Sequence, residues 1–399
     1  MKKTYKLLTG IVTAVVLIQA CSKLEPAAPG DDELLDGPVE GLSYEQNRQF
    51  LAGDVAFNDD IFTAQTGLGS VFVATSCGSC HAGDGKGHPF TTLTRFGQID
   101  STGNQFLHLG GPQLQNRALP GFMPEQIPAG ATFSKFTPPA NTGLGFIELV
   151  SDADILAMAD PNDINGDGIS GVPNWIVLPP FISPNANAIS QNGRYIHRFG
   201  KKAAAYSLLH QTVNAYNQDI GITSSFDPKD VYSGLNIDPE VSDLTISNVV
   251  FYLQTLKAPI QRDQNNADVI QGKNLFIQAG CESCHKQTLK TGFSNIEPLS
   301  NKIFHPYTDL LLHDMGMGLD DGYTEGNTKT FEWRTPPLWG LGLSPNSQGG
   351  EYFLMHDGRA KSIEAAIQLH GGEASVSKNK FNQMAAAERN NILKFLKSL

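Results

Sequence analysis

Apolar residues recur at helical spacing in separated stretches of the chain, and the segments between them carry no regular period. Lys2, Lys3 and Lys6 precede an apolar run that ends at Leu17-Ile18-Gln19-Ala20, the pattern of a secretory signal peptide over residues 1–20. Residues 22–43 are rich in proline and acids and read as a flexible tether. A helix is predicted from near Ser43 through Phe50 and Leu51. Another, Lys201 to Asn217, places Ala203, Leu208, Leu209, Val213 and Tyr216 on one face. A third, capped by Ser242 or Asp243, carries Ile246, Val249, Val250, Tyr252, Leu253 and Leu256 and is ended by Pro259. Short helices are predicted through Gly272, Leu275 and Phe276 and from Lys361 towards His370. The last helix, Glu388 to Leu399, is apolar at Ile392, Leu393, Phe395 and Leu396.

Two of the unpatterned segments hold the clearest chemistry. Cys77-Gly78-Ser79-Cys80-His81 and Cys281-Glu282-Ser283-Cys284-His285 are C-x-x-C-H runs, the attachment signal for c-type haem. Two thiols at this spacing each form a thioether with a haem vinyl group, and the histidine that follows becomes the proximal iron ligand. A zinc site or a redox dithiol also uses C-x-x-C, but zinc needs a second pair of ligands nearby. No other cysteine lies near either run. The cofactors expected are therefore two covalent c-type haems.

Composition then narrows the setting. With 399 residues, 40% hydrophobic and 17% charged, and with 40 Gly and 23 Pro, the chain reads as globular and loop-rich. Of its five cysteines, four sit in the haem runs. The fifth, Cys21, follows the expected cleavage point, as in the lipobox of bacterial lipoproteins, where that thiol is acylated; an ordinary signal peptide would leave it unmodified. Haem is attached covalently outside the cytoplasm, so export and the two runs support each other. The expected location is the bacterial cell envelope, as a periplasm-facing or surface lipoprotein held to the membrane by its N-terminal lipid alone. Past the leader no stretch approaches the roughly 20 apolar residues of a membrane span. The formal charge of −11 becomes −14 once Lys2, Lys3 and Lys6 are removed. That balance excludes nucleic acid as a partner and favours a basic or neutral redox protein or a small electron donor.

A helix leading into C-x-x-C-H, and a last helix packing on it over the haem, match the cytochrome c fold. A repeat suggests two such units: Thr137-Pro138-Pro139-Ala140-Asn141-Thr142-Gly143-Leu144-Gly145 echoes Thr335-Pro336-Pro337-Leu338-Trp339-Gly340-Leu341-Gly342. The expected architecture is mainly α, two cytochrome c-like haem domains with long irregular loops, the first enlarged by an insertion. Residues 44–260 would form the N-terminal haem domain and 265–399 the C-terminal one, behind the tether at 21–43.

What each iron does depends on its sixth ligand. For the second haem the candidates include His305, His313, Met315, Met317, Met355 and His356, and position before the last helix favours His370. For the first haem, among His88, His108, His197 and His210, His108 beside the Gly110-Gly111-Pro112 loop is the best candidate; an uncapped iron is the alternative. Peroxide cleavage would need a carboxylate to move a proton, for which Glu125 and Glu148 are candidates. Arg334 can fork onto a haem propionate, and Trp339 or Trp175 can stand between the haems. Asp163, Asn165 and Asp167, followed by Gly168, match the first half of a calcium loop. The twelfth position is Asn174 rather than Glu, and an Asx-rich turn accounts for the same residues.

Longer stretches resemble the di-haem oxidoreductase family, whose members carry the labels peroxidase and thiol oxidoreductase. The resemblance rests on His305–Gly316, Trp333–Gly342, His356-Asp357-Gly358-Arg359-Ala360 and His370-Gly371-Gly372-Glu373-Ala374. Gly111–Gln115, Asp167–Gly171 and Arg198–Ala203 add to it. The family is similar to bacterial di-haem cytochrome c peroxidases, in which a Met about fourteen residues past the His-Asp-Gly histidine ligates the high-potential haem. Here that position is His370, which supports it as ligand and weakens the peroxidase label. The resemblance also implies a calcium ion between the haems. The function it implies is reduction of hydrogen peroxide or another small oxidant by electrons passed between two haems. The alternative is a non-catalytic electron-transfer lipoprotein serving another envelope redox or metal-uptake system.

Overall fold

The computed structural model describes residues 29–399; the signal peptide, Cys21 and the start of the tether lie outside the described residues. Residues 29–34 belong to a small first unit, where the turn Asp31–Glu33 is closed by the Glu33 N–H on the Gly30 carbonyl (2.9 Å). Residues 35–399 form a second, compact unit.

Ten α-helices are described: α1 (Tyr44–Asn58), α2 (Leu144–Glu148), α3 (Asp152–Met158), α4 (Leu208–Ala215), α5 (Asp243–Thr255), α6 (Ala267–Ala279), α7 (Ser344–Ser347), α8 (Ile363–Leu369), α9 (Ser375–Gln383) and α10 (Ala386–Ser398). Helix α1 starts on a capping box, with the Ser43 hydroxyl accepting from the Gln46 N–H (3.2 Å) and the Gln46 side chain accepting from the Ser43 N–H (2.9 Å). Ser242 caps α5 in the same position, its hydroxyl accepting from the Thr245 N–H at 3.1 Å.

These helices build the same crossing twice. Helix α1 packs on α5, and α6 packs on α10. A Cβ at Gly53 would lie 2.1 Å from the Asn248 carbonyl oxygen, and one at Gly272 would lie 2.0 Å from that of Asn391. Only glycine allows backbones this close. Helix α6 runs directly into Cys281, and α1 stands upstream of Cys77.

The connecting segments are irregular and joined by short antiparallel ladders. Strands β1 (Val71–Phe72), β2 (Leu93–Phe96), β3 (Arg117–Ala118) and β4 (Phe133–Phe136) pair as β1 with β3 and β2 with β4. Strands β5 (Asn174–Ile176), β6 (Ser190–Gln191) and β7 (Arg194–His197) form a sheet in the order β5-β7-β6. Strands β8 (Leu289–Lys290) and β9 (Ile303–Phe304) pair, as do β10 (Leu312–Asp314) and β11 (Glu332–Arg334).

This corrects the expected mainly α architecture of two cytochrome c-like domains. Helix accounts for 34% and strand for 12% of the structure. The core under α1 and α5 (Phe50, Tyr252, Leu256) also takes in Phe304, Leu310, Leu311 and Trp339 from the far end of the chain. What repeats is a helix crossing, and the segments around it wrap a shared interior. Helix α6, α8, α9 and α10 enclose a second core through Phe276, Ile363, Phe381 and Phe395.

The predicted helix Lys201–Asn217 also differs. Helix α4 starts only at Leu208, capped by Ser207, because Ala203 has φ +50° and Lys202 is turned inwards. The Lys202 ammonium donates to the carbonyls of Thr330 (2.7 Å) and Glu332 (2.6 Å) and stands 3.6 Å above the Trp333 ring. After Ala215 the winding loosens into a π-helical turn, Tyr216–Ile220, stopped by Gly221 at φ +76°.

Candidate functional site

Each C-x-x-C-H run closes as a tight turn. The His81 N–H donates to the Cys77 carbonyl and the His285 N–H to the Cys281 carbonyl, both at 3.0 Å. All four cysteines are free thiols and half-buried. Both turns open on one cavity of about 490 Å³, whose wall includes Cys77, Cys80, His81, Cys281, Cys284 and His285. Both Thr-Pro-Pro repeats line it as well.

The two histidines are held alike. His81 Nδ1 lies 3.0 Å from the Pro139 carbonyl, and His285 Nδ1 lies 3.0 Å from the Tyr307 carbonyl. With Nδ1–H donating, the lone pair is on Nε2. Burial pushes each imidazole down to about 4, so both are neutral near pH 7. His370, at the end of α8, also lines the cavity and donates Nδ1–H to the Ala366 carbonyl at 2.8 Å. Its charge follows burial as the second cause lowering His285. The charged group acting on His81 is instead Lys201.

The other expected histidines are elsewhere or engaged. His108 is exposed on the turn Leu107–Leu109 and does not line the cavity. His88 packs on Phe90 and Phe353 at 4.5 Å each, and His210 is buried 5.6 Å from the His197 ring. His305 Nδ1 bonds the Thr288 hydroxyl (3.0 Å). His313 is clamped between Asp309 (2.9 Å) and Glu373 (2.8 Å). Burial opposes its charge, but its bonds to Asp309, Cys284 and Glu373 prevail and push it up to about 12, so it is an imidazolium. His356 bonds Asp321 (2.6 Å) and stacks on Trp333 at 3.7 Å.

Neither candidate carboxylate faces the cavity. Glu125 accepts from the N–H groups of Gln115 (2.8 Å) and Gly111 (3.3 Å), which fastens the Gly-Gly-Pro loop. Glu148 accepts from the Leu208 N–H and from Gln254, both at 2.7 Å, which ties α2 to α4 and α5. Their positions next to sequence landmarks reflected these local tasks. Trp339 and Trp333 line the cavity, whereas Trp175 packs against the core from β5.

In the loop at Asp163, the carboxylates bond their own backbone. Asp163 accepts from the Gly168 N–H (3.1 Å), Asn165 from the Asp167 N–H and Asp167 from the Ile169 N–H (both 2.9 Å). This is the geometry of an Asx-rich turn.

Two cavity groups, Lys86 and Lys201, gave no sequence signal of their own. They come from distant segments and line the wall together with Arg334, the residue expected to meet a propionate. Among the described residues none of these cations has a carboxylate within 4.0 Å: Arg334 donates to the carbonyls of Gly200 (2.8 Å) and Thr335 (3.2 Å), and Asp357 pairs with Arg359. Burial pushes Lys86 down to about 8 and Arg334 to about 10, and burial, with both of these neighbours, holds Lys201 well below its usual value. The π turn adds Gln218 and Asp219 to the wall beside Gln113 and Arg95. The stretches Gly111–Gln115 and Arg198–Ala203 contained Gln113 and Lys201 without revealing what they face.

These groups fit haem. Two thiol pairs, two histidines with unbonded Nε2 atoms and three cations without anionic partners meet in one apolar cavity. Asn141 Nδ2, Thr212 Oγ1 and Tyr216 Oη are buried on the same wall with no hydrogen-bond partner among the described residues. Haem brings thioether carbons, an iron and propionates to such a set.

The family model described as "Di-haem oxidoreductase, putative peroxidase" matches residues 135–399. Among solved structures, the chain is similar to the hydrazine synthase of Kuenenia stuttgartiensis at 13% identity, over 94% of this chain and 95% of that one, with a TM-score of 0.41. It is also similar to the diheme peroxidase BthA of Burkholderia thailandensis at 15% identity, over 88% and 86% of the two chains, with a TM-score of 0.42. No curated protein matches the chain.

Proposed function

The chain belongs to the di-haem oxidoreductase family, and we propose that it is an exported c-type di-haem protein that reduces peroxide or another small oxidant. The observation that carries this reading is the single cavity onto which both C-x-x-C-H turns open. Haem iron supplies one-electron chemistry and, where one axial position is not taken by protein, a place for a small oxidant to bind.

Cys77 and Cys80 would hold one haem by thioethers and Cys281 and Cys284 the other, with His81 and His285 as proximal ligands. His370 would complete a bis-histidine site with His285, which suits electron handling and lowers the potential. The first site, where Lys201 rather than a second imidazole acts on His81, is assigned the oxidant. Lys86, Lys201 and Arg334 would neutralise propionates. Electrons would come from a redox protein or small donor, and the acidic surface favours a basic or neutral one. Covalent haem attachment and the Lys2–Ala20 leader support export, with Cys21 as the acylated anchor in a bacterial envelope.

EPR and visible spectra of the oxidised and half-reduced protein, with and without hydrogen peroxide, test this. The expected result is one low-spin bis-histidine haem, and a first haem that reacts with peroxide once the second is reduced. Two low-spin haems that ignore peroxide in every redox state would leave a pure electron carrier instead.

A further inference from the structure

Asp219 lies where the chain passes from α to π winding. The π turn directs Gln218 and Asp219 at the cavity, and the Asp219 carbonyl accepts from the N–H groups of Val73 (2.8 Å) and Ala74 (2.9 Å). The turn is thereby fixed to the segment that delivers Cys77. π turns within helices recur at functional sites because they redirect side chains that an α-helix would place elsewhere.

The Asp219 carboxyl is lightly held. Oδ1 accepts from the Gln113 amide, which also donates to the Gln218 carbonyl at 2.9 Å, and Oδ2 accepts no hydrogen bond from the described residues. The cation acting on it, Arg95, is already paired with Glu325 at 2.6 Å and also donates to Gln218 at 3.1 Å. Glu325 is further bonded to the Tyr323 hydroxyl (3.1 Å). Among the acids of this network, Glu325 is ion-paired with Arg95, whereas Asp219 has no cation within 4.0 Å among the described residues.

Other charges face the same corner. After burial, the Asp219 charge is the next cause raising the Cys77 and Cys80 thiols, so the carboxyl stands within charge reach of both thioether positions. Arg117 on β3 acts on Cys80, and Asp60 acts on Cys77. As thioethers the two sulfurs would not titrate. Burial pushes Asp219 itself up to about 6, against the Gln113 bond and Arg95.

We propose that Asp219 is the carboxyl that takes up a proton when the first haem site takes up an electron, and that it returns this proton to the oxidant; this rests on the haem reading of Cys77–His81. In the uptake step an external one-electron donor reduces ferric iron to ferrous, a proton leaves bulk water, and the carboxylate becomes a carboxylic acid. The iron loses one positive charge, so the nearby carboxylate is less favoured and its proton affinity rises. Reduction of hydrogen peroxide to two waters consumes two electrons and two protons. Asp219 supplies one proton, matched to the electron from this site.

Spectroelectrochemical titration of the holoprotein between about pH 5 and pH 8 tests the proposal. For the first site, the equilibrium constant for reduction is expected to fall about tenfold per pH unit across the window in which Asp219 titrates. In Asp219→Asn this slope should vanish while the second site keeps its own. A variant carrying both haems that retains the wild-type slope would overturn the assignment. If Asp219→Asn does not fold with both haems, Gln113→Leu removes the donor that favours the charged carboxyl, and the sloped window should move to higher pH; an unmoved window overturns the proposal. Peroxide added to the half-reduced wild type separates the two readings. A first site that ignores peroxide, with the slope lost in Asp219→Asn, leaves the proton role standing and removes the oxidant. A site that reacts, with the slope kept in the variant, removes the proton role alone.

Discussion

His285 and His370 line one cavity with matching tautomers, each Nδ1–H spent on a backbone carbonyl, at 3.0 and 2.8 Å. Burial lowers both imidazoles below their usual range, so each would keep an Nε2 lone pair for an iron in this cavity. His370→Ala is expected to turn the second haem from six-coordinate low-spin to high-spin in the EPR spectrum of the oxidised protein. An unchanged spectrum would exclude His370 as the ligand. His370→Met should instead keep the haem low-spin and raise its midpoint potential.

The two helix crossings depend on the same contact. Gly53→Ala and Gly272→Ala would each drive a methyl group against a backbone carbonyl, at 2.1 and 2.0 Å. Backbone cannot step aside as a side-chain tip can. Each substitution is expected to cost roughly 2–3 kcal/mol of stability, read as a fall in thermal midpoint. An alanine tolerated without loss at either site would contradict the close crossing.

The cations around the cavity should change sign in their effect with haem content. Lys201 is enclosed beside Lys86 and Arg334, which costs energy unless anions arrive. Lys201→Met is expected to stabilise the protein made without its haems by about 1 kcal/mol and to destabilise the holoprotein. Denaturant melts of the two forms check this. Shifts of the same sign would mean that no propionate meets Lys201.

Asp84 supplies a pH dependence. It is 2% exposed and accepts from the Tyr252 hydroxyl at 2.7 Å, and burial pushes it up to about 7. The folded protein therefore keeps a proton that the unfolded chain has released above about pH 4. This group's contribution to stability is full at low pH, falls as pH rises from about 4 to about 7, and is level beyond. Asp84→Asn keeps the acceptor and tolerates the φ of +56° at this position. The variant should match the wild type near pH 4 and exceed it by roughly 4 kcal/mol at pH 8. Urea melts across that range would show it; a constant difference would refute the assignment.

Local signals were legible and distant ones were not. Ser43 and Ser242 cap helices where their spacing predicts, because an N-cap is decided within four residues. The Thr-Pro-Pro repeats both reach the cavity, and Gly143 and Gly340 share nearly the same conformation, φ +70° and +69°. The extent of irregular structure was underestimated, since helix period identifies the helices but says nothing of how much chain wraps the interior. Lys86, Lys201 and Arg334 converge from segments that share no pattern, and only the folded chain brings them together. His108, Glu125 and Glu148 are placed by loop and helix contacts that their neighbours in sequence do not disclose. Asp219 was hidden for a further reason: helical period assumes α winding, and the π turn breaks it.

That turn makes the cavity wall sensitive to chain length. In an α-helix each residue advances the side chain by about 100°, so removing one residue from Tyr216–Ile220 would restore regular winding and swing Asp219 off the wall. The core residues of α4 before the turn, Leu208 and Val213, would keep their places. A relative one residue shorter here would share the haem motifs and the packing of this protein while lacking its acid. Counting residues between Ser207 and Gly221 would therefore sort such chains into those that keep this carboxyl at the cavity and those that do not.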